Sequence, residues 1–226
     1  MFENNYKIID FSFNNKYINN FYITDMKRTF YNCSSIKSLT IDFTNINVNY
    51  LKEIDYLFYE SKTLTYVTLS NFNENNLTNM SYMFYWCSNL KGVNFNNFNT
   101  QNVVNTSYMF VYCIELESLD LSNFKTEKVT HMQFMFQQCY KLSSLDLSNF
   151  NTTNVIMMSH MFQGCRALTS LNSKIFNSQN IIYMSYTFSS CKALTSLDLT
   201  NMNTQKLTKI EHVFDGCESI TYLNIS

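Results

Sequence analysis

Apolar and polar residues follow a fixed phrase along most of the chain. From Leu142 it reads Leu-Ser-Ser-Leu145-Asp-Leu147-Ser-Asn-Phe150, passes Val155 and Met158 to Met161-Phe162, and closes on Cys165. Leu168 begins the phrase again. With Phe162 as an anchor, Phe58, Phe84, Phe110, Phe136, Phe188 and Phe214 are equivalents at 26-residue intervals, and Phe30 stands 28 before Phe58. A period of this size marks a solenoid, whose units bury a core only by stacking on one another.

Positions are counted from each anchor. Leucines or their equivalents at +6, +9 and +11 (Leu116, Leu119, Leu121) give the L-x-x-L-x-L spacing of a leucine-rich-repeat strand. Positions +9 and +11 share one strand face, and the residue between them, polar in every unit from Thr68 to Asn224, lies on the other. An apolar plug follows at +14, then a polar turn such as Asn151-Thr-Thr-Asn154, whose side chains suit a helix start. Apolar residues at −7, −4, −1, 0 and +3 (Val129, Met132, Met135, Phe136, Cys139) then fall within roughly 120° of a helical wheel. The expected fold is an α/β, leucine-rich-repeat-like solenoid with one short parallel strand and one short helix per repeat of about 26 residues.

The repeat makes residues 1–226 a single solenoid, with 1–58 as atypical N-terminal repeats and 59–226 as regular ones. Ile8, Phe11 and Phe13 fit a first strand, with Ile23 and Met26 in the helix after it. Leu39 and Ile41 fit the second strand, which leads to Leu51. Ile220, Leu223 and Ile225 fit a last strand with no cap after it. Nine strands and eight helices are expected. The uncapped final strand predicts edge-to-edge self-association.

The 20 Phe and 16 Tyr supply much of the core, while the absence of Pro and the presence of only three Gly leave no visible linker. Sixteen basic residues nearly balance 17 acidic ones. That balance argues against a nucleic-acid or polybasic membrane surface. No apolar run approaches the ~20 residues of a membrane span, so no membrane insertion is expected. The N-terminus lacks the pattern of a signal peptide.

The phrase Leu145-Asp-Leu-Ser-Asn-Phe-Asn-Thr-Thr-Asn-Val155, with Met161-Phe-Gln-Gly-Cys165, resembles the BspA-type leucine-rich repeat surface proteins. The likeness runs from about residue 30 to the end and is clear in at least six units. It implies a cell-surface or secreted, non-enzymatic protein that binds or adheres to host or matrix proteins. The sequence itself leaves a cytoplasmic location open, as it does a structural spacer or self-associating segment of a larger protein.

Candidate chemistry is sparse. Cys87, Cys113, Cys139, Cys165, Cys191 and Cys217 recur at +3, with Cys33 in the first unit and Ser61 in the second. No paired C-x-x-C spacing suggests a metal site, and the position belongs to the apolar stripe. They are expected as free core thiols beside the core anchors Phe84, Phe110, Phe136, Phe162, Phe188 and Phe214. Adjacent-coil disulfides remain a geometric alternative. No catalytic group, metal or cofactor is expected.

The candidate binding face is the outward strand surface: Tyr66, Asn94, Asp120, Asp146, Lys174, Asp198 and Tyr222. Asp120 and Asp146 should be neighbours across adjacent strands. Ser173, at a Leu position, and Trp86 also break the repeat. The helix flank at −2 (Tyr82, Tyr108, Phe134, His160, Tyr186, His212) forms an aromatic stripe that offers a second face, and His131 lies close to it. Six N-x-[ST] sequons, at Asn32, Asn76, Asn79, Asn105, Asn151 and Asn224, are common by chance in so Asn-rich a chain.

Overall fold

Alternate residues of a strand face opposite ways, so Leu39-Thr-Ile41 buries its two ends and leaves Thr40 outside. The chain winds so that these stripes meet. The computed structural model describes residues 3–4, 10–13, 21–44, 46–73, 75–200 and 202–224, with the backbone alone at 10–13, 21 and 173–174. Its strands are β1 (Asp10–Phe13), β2 (Phe21–Tyr22), β3 (Ser38–Asp42), β4 (Ile46–Asn47), β5 (Tyr66–Ser70), β6 (Gly92–Asn94), β7 (Ser196–Asp198) and β8 (Tyr222–Asn224). One parallel sheet runs β1-β3-β5-β6, with Leu39 opposite Val67 and Val67 opposite Val93. β2 pairs with β4, and β7 with β8, also in parallel. This is a leucine-rich-repeat-like solenoid of short parallel strands. Ile8 and Ile225 lie outside the described residues.

The expected helices are not formed. Among the described residues there is no α-helix, and the one helical element is a 3₁₀ turn at Ser173–Phe176. The apolar stripe is instead a chain of overlapping β-turns. In the coil anchored on Phe136, the N–H groups of Met135, Gln137, Cys139 and Leu142 donate to the carbonyls of Met132, Phe134, Phe136 and Cys139. The intervening N–H groups of Met132, Phe134, Phe136 and Gln138 donate to Met157, Ser159, Met161 and Gln163 in the next coil, at 2.7–3.0 Å. Positions −2 and +2 are left-handed throughout, including Phe134 and Gln138 (both φ 61) and Gly164 (φ 74). They stand third in their turns, where a type II turn requires positive φ.

Magnitudes show why this arrangement holds. Two left-handed residues cost about 2–4 kcal/mol per coil. Four hydrogen bonds to the next coil return about 2–6 kcal/mol, and burying the anchor Phe adds about 1.5–3 kcal/mol. A helix would satisfy its own backbone but leave coils joined by side chains alone. The sequence here is rich in Thr, Asn, Tyr and Phe, all weak helix formers.

The turn side is the continuous spine of the array. Parallel bridges link Glu53, Asn79, Asn105, His131, Met157, Tyr183 and Lys209 in unbroken succession. Beside it, Thr100, Thr126 and Thr152 are buried and use their hydroxyls on the carbonyls of Lys125, Asn151 and Ile175 rather than as helix caps. The strand side is interrupted, which corrects the expected row of nine strands. Residues 118–120 and 144–146 form no strand, and Ser170 makes a single bridge to Ser196. Ring separations differ between the turn side and the core. They are 4.3 Å for Phe134–His160 on the turn side, against 5.8 Å for Phe136–Phe162 in the core. In this middle region the coils are joined by the turn-side ladder and not by paired strands.

The core sits between these two sides. Phe84, Phe110, Phe136, Phe162 and Phe188 are fully buried and near-parallel, and Phe214 at the last coil is partly buried.

Candidate functional site

Each buried cysteine has a defined duty. The thiols of Cys87, Cys113, Cys139, Cys165, Cys191 and Cys217 donate to the carbonyls of Phe58, Phe84, Phe110, Phe136, Phe162 and Phe188 at 3.0–3.2 Å. Ser61, which replaces cysteine, does the same to Phe30 at 2.6 Å. Six of the cysteines are buried and Cys217 is half-buried, and none of Cys87, Cys113, Cys139, Cys165, Cys191 and Cys217 is in a disulfide. Burial pushes the thiols of Cys87, Cys113, Cys139, Cys165 and Cys191 well above the usual range and raises that of Cys217, which disfavours the thiolate needed for nucleophilic or metal chemistry. Among the described residues no group of three or more His, Cys, Asp or Glu could hold a metal ion.

The strand-face candidates do not converge. Tyr66 and Tyr222 are 57% and 55% exposed and stand on β5 and β8, far apart in the stack. Asn94, Asp120 and Asp146 are exposed, Asp198 is half-buried, and the side chain of Lys174 is outside the described set. Asp120 and Asp146 are not strand neighbours. Each folds back on its own chain, accepting the N–H of Ser122 at 2.9 Å and of Ser148 at 2.8 Å. The hydroxyl and N–H of Ser122 hold the Asp120 carboxyl below the ordinary Asp range, and the N–H and hydroxyl of Ser148 do the same for Asp146, so both stay ionised as turn formers. A cleft on this side has Tyr66 lying 3.5 Å from the space a Cβ on Gly92 would fill, opposite Glu117, Ser118 and Asp120.

The turn side brings its residues together. At −2 the rings of Tyr56, Tyr82, Tyr108, Phe134, His160, Tyr186 and His212 stack in one column, centroids 4.3–4.8 Å apart. A second column, Tyr31–Tyr59–Tyr85, runs beside its N-terminal part at 5.1 and 4.7 Å. Next to these, Trp86 stacks on Tyr112 at 5.5 Å and meets Tyr85 edge-on. Left-handed backbone at −2 and +2 turns these side chains outward at every coil, and the inter-coil ladder fixes their spacing. Partial burial raises the phenol of Tyr82 and pushes that of Tyr59 up to about 12, so both remain neutral hydroxyl donors.

Basic side chains settle on these rings. The guanidinium of Arg28, itself at −2, lies 5.3 Å from the Tyr56 centroid and 5.5 Å from Tyr31. Lys62 Nζ is 4.5 Å above Trp86, and Arg166 is 4.3 Å above Tyr140. Sequence reading found the −2 stripe but not the second column or the Trp86–Tyr112 pair. Tyr31, Tyr59 and Tyr85, all at +1, were the available signal.

A stacked, ladder-bonded coil with short parallel strands defines a leucine-rich-repeat class of solenoid. Residues 24–143, 87–194 and 143–225 match the family described as "Mycoplasma protein of unknown function, DUF285", and the chain belongs to that BspA-like repeat family. No curated protein shows significant similarity to it. Among solved structures, the T. pallidum leucine-rich repeat protein is similar in fold, with 16% identity and a TM-score of 0.50 over 83% of this chain and 72% of that one. A leucine-rich repeat protein from Bacteroides ovatus matches at 16% identity and TM-score 0.42, covering 96% of this chain and 69% of its own. A leucine rich cell surface protein from Faecalibacterium prausnitzii matches at 16% identity and TM-score 0.27, covering 96% and 87%. No helix among the described residues is long and apolar enough to cross a membrane.

Proposed function

We propose that the protein is a non-catalytic repeat module that binds a protein ligand through the aromatic strip of its turn side, between Tyr31 and Tyr112. The observation that carries this reading is the pre-ordered double column of half-exposed tyrosines with Trp86 at its edge. Interface hot spots favour Tyr, Trp and Arg, and rings already fixed by stacking lose little freedom on binding. The non-catalytic reading is supported by what the reactive side chains already do. The thiols hold carbonyls, the ionised aspartates close turns, and His160 and His212 are members of the ring column. Membership of a BspA-like family favours a cell-surface setting, with a host, matrix or like protein as ligand.

Binding to immobilised matrix proteins tests it. Trp86→Gly with Tyr112→Gly removes two rings at left-handed positions where glycine fits the backbone, and should abolish binding without unfolding the chain. The strand-face set Tyr66→Ser, Asp120→Asn and Asp146→Asn should bind normally. The reverse pattern would move the site to the strand face, and full binding by both variants would remove this reading.

A second reading, a stacking segment, is favoured by the last described coil. Met202, Val213 and Phe214 are only partly buried there and Ile210 is exposed, with an apolar cavity of about 480 Å³ open between these four; Leu223 is exposed as well. Concentration-dependent sedimentation, lost on Leu223→Lys, is the expected sign of a further coil seating on that face.

A further inference from the structure

We infer that the partner of the aromatic strip presents a basic segment, and that one of its lysine or arginine side chains takes the place Lys62 now occupies over Trp86. This rests on the binding reading above and names the chemistry of the partner. Lys62 shows what the place accepts. Its ammonium lies 4.5 Å above the indole and 3.9 Å from the carboxylate of Glu60, one coil before Trp86. An aromatic face beside a carboxylate is the recognition pattern for an organic cation. The side chain of Lys62 is 48% exposed on a flexible stem, so it covers the ring without being locked there.

Two further observations point the same way. Trp86 is 40% exposed and left-handed (φ 58), at the +2 position that Gly164 and Gly216 hold in later coils. The left-handed turn that every coil shares at this position holds the indole outward, so the ring is presented at the surface and not packed into the core. Arg28 and Arg166 also rest on tyrosine rings, so the turn side meets cations with aromatic faces three times. A partner's cation would displace Lys62, stack on Trp86 beside Tyr112, and pair with Glu60.

Trp86 is the only tryptophan, so its emission reads this one place. The whole chain is titrated with an extended oligo-lysine peptide, with oligo-glutamate as control. Oligo-lysine should change the emission saturably, and added salt should weaken it. Lys62→Ala, which empties the place, should tighten binding about two- to fivefold, and Glu60→Gln should weaken it by a similar factor. An unchanged emission in both wild type and Lys62→Ala, or an equal response to oligo-glutamate, would overturn the inference. If matrix binding still depends on Trp86 while oligo-lysine has no effect, the strip remains the site and only its cationic specificity falls. If matrix binding ignores Trp86 while oligo-lysine still binds as described, the cation site stands and the binding reading fails.

Discussion

The thiol of Cys139 donates to the carbonyl of Phe110, one coil earlier, at 3.1 Å. That carbonyl also accepts the N–H of Cys113 at 3.2 Å, so the sulfur ties its own coil to the turn of the preceding one in the dry interior. Cysteine is therefore present as a small apolar donor. Ser61 fills the same role in its coil. Cys139→Ser should stay within about 1 kcal/mol of wild type, whereas Cys139→Ala, which loses both donor and volume, should cost about 1–2 kcal/mol. Urea denaturation of the two variants checks the order.

Stability should fall on the alkaline side. Burial raises the proton affinity of the folded thiols above that of the unfolded chain. The fold therefore binds more protons. Its thiol contribution is complete below the unfolded value near ~8.5 and declines as pH rises past it, by up to about 1.4 kcal/mol per pH unit for each thiol. Asp120 and Asp146 act in the opposite sense, with a stabilising contribution that is present above the ordinary Asp range and lost as pH falls through their lowered values. Denaturation midpoints at neutral pH and near pH ~10 test the first effect. Replacing the buried cysteines by serine should flatten it.

The left-handed positions make a prediction of opposite signs. Gly164→Ala adds a Cβ that would sit 2.7 Å from Gln138 Oε1 on a backbone with φ 74, and should destabilise by about 1–2 kcal/mol. Gln138→Gly relieves the same strain one coil earlier and should be neutral or stabilising. Thermal melts of the pair decide it.

The strand phrase was legible because inward and outward residues alternate with period 2, and Leu39, Ile41, Val67 and Leu69 are all buried. The anchor column was legible for the same reason, since one large apolar residue recurs at a fixed interval. The turn chain was not. Its buried residues, Val129, Met132, Met135, Phe136 and Cys139, follow spacings of three, three, one and three, which a helical stripe also produces. The distinguishing feature is positive φ at −2 and +2, and large side chains hide it in most coils. Only Asn32, Gly164 and Gly216 at +2 betray it in the residue types. Asp120 was read as a surface acid because an Asp that closes its own turn looks the same in sequence. The interruption of the strands at 118–120 and 144–146 has no mark in residue type, since Leu119 and Leu145 keep the phrase intact.

Phe136 is fully buried between Phe110 and Phe162, each 5.8 Å away. Phe136→Ala should cost about 3–5 kcal/mol. Because a ladder of backbone bonds joins each coil to the next, the loss should appear as one cooperative transition. A second, separate unfolding step would show that coils melt singly.

The turn chain aligns the thiols, sets the ring columns and turns Trp86 outward. Backbone NMR of residues 132–139, reading Cα shifts and N–H to Hα couplings, tests it most directly. The structure requires positive-φ signatures at Phe134 and Gln138, with non-helical values between them. A continuous run of helical shifts from Met132 to Cys139 would contradict it.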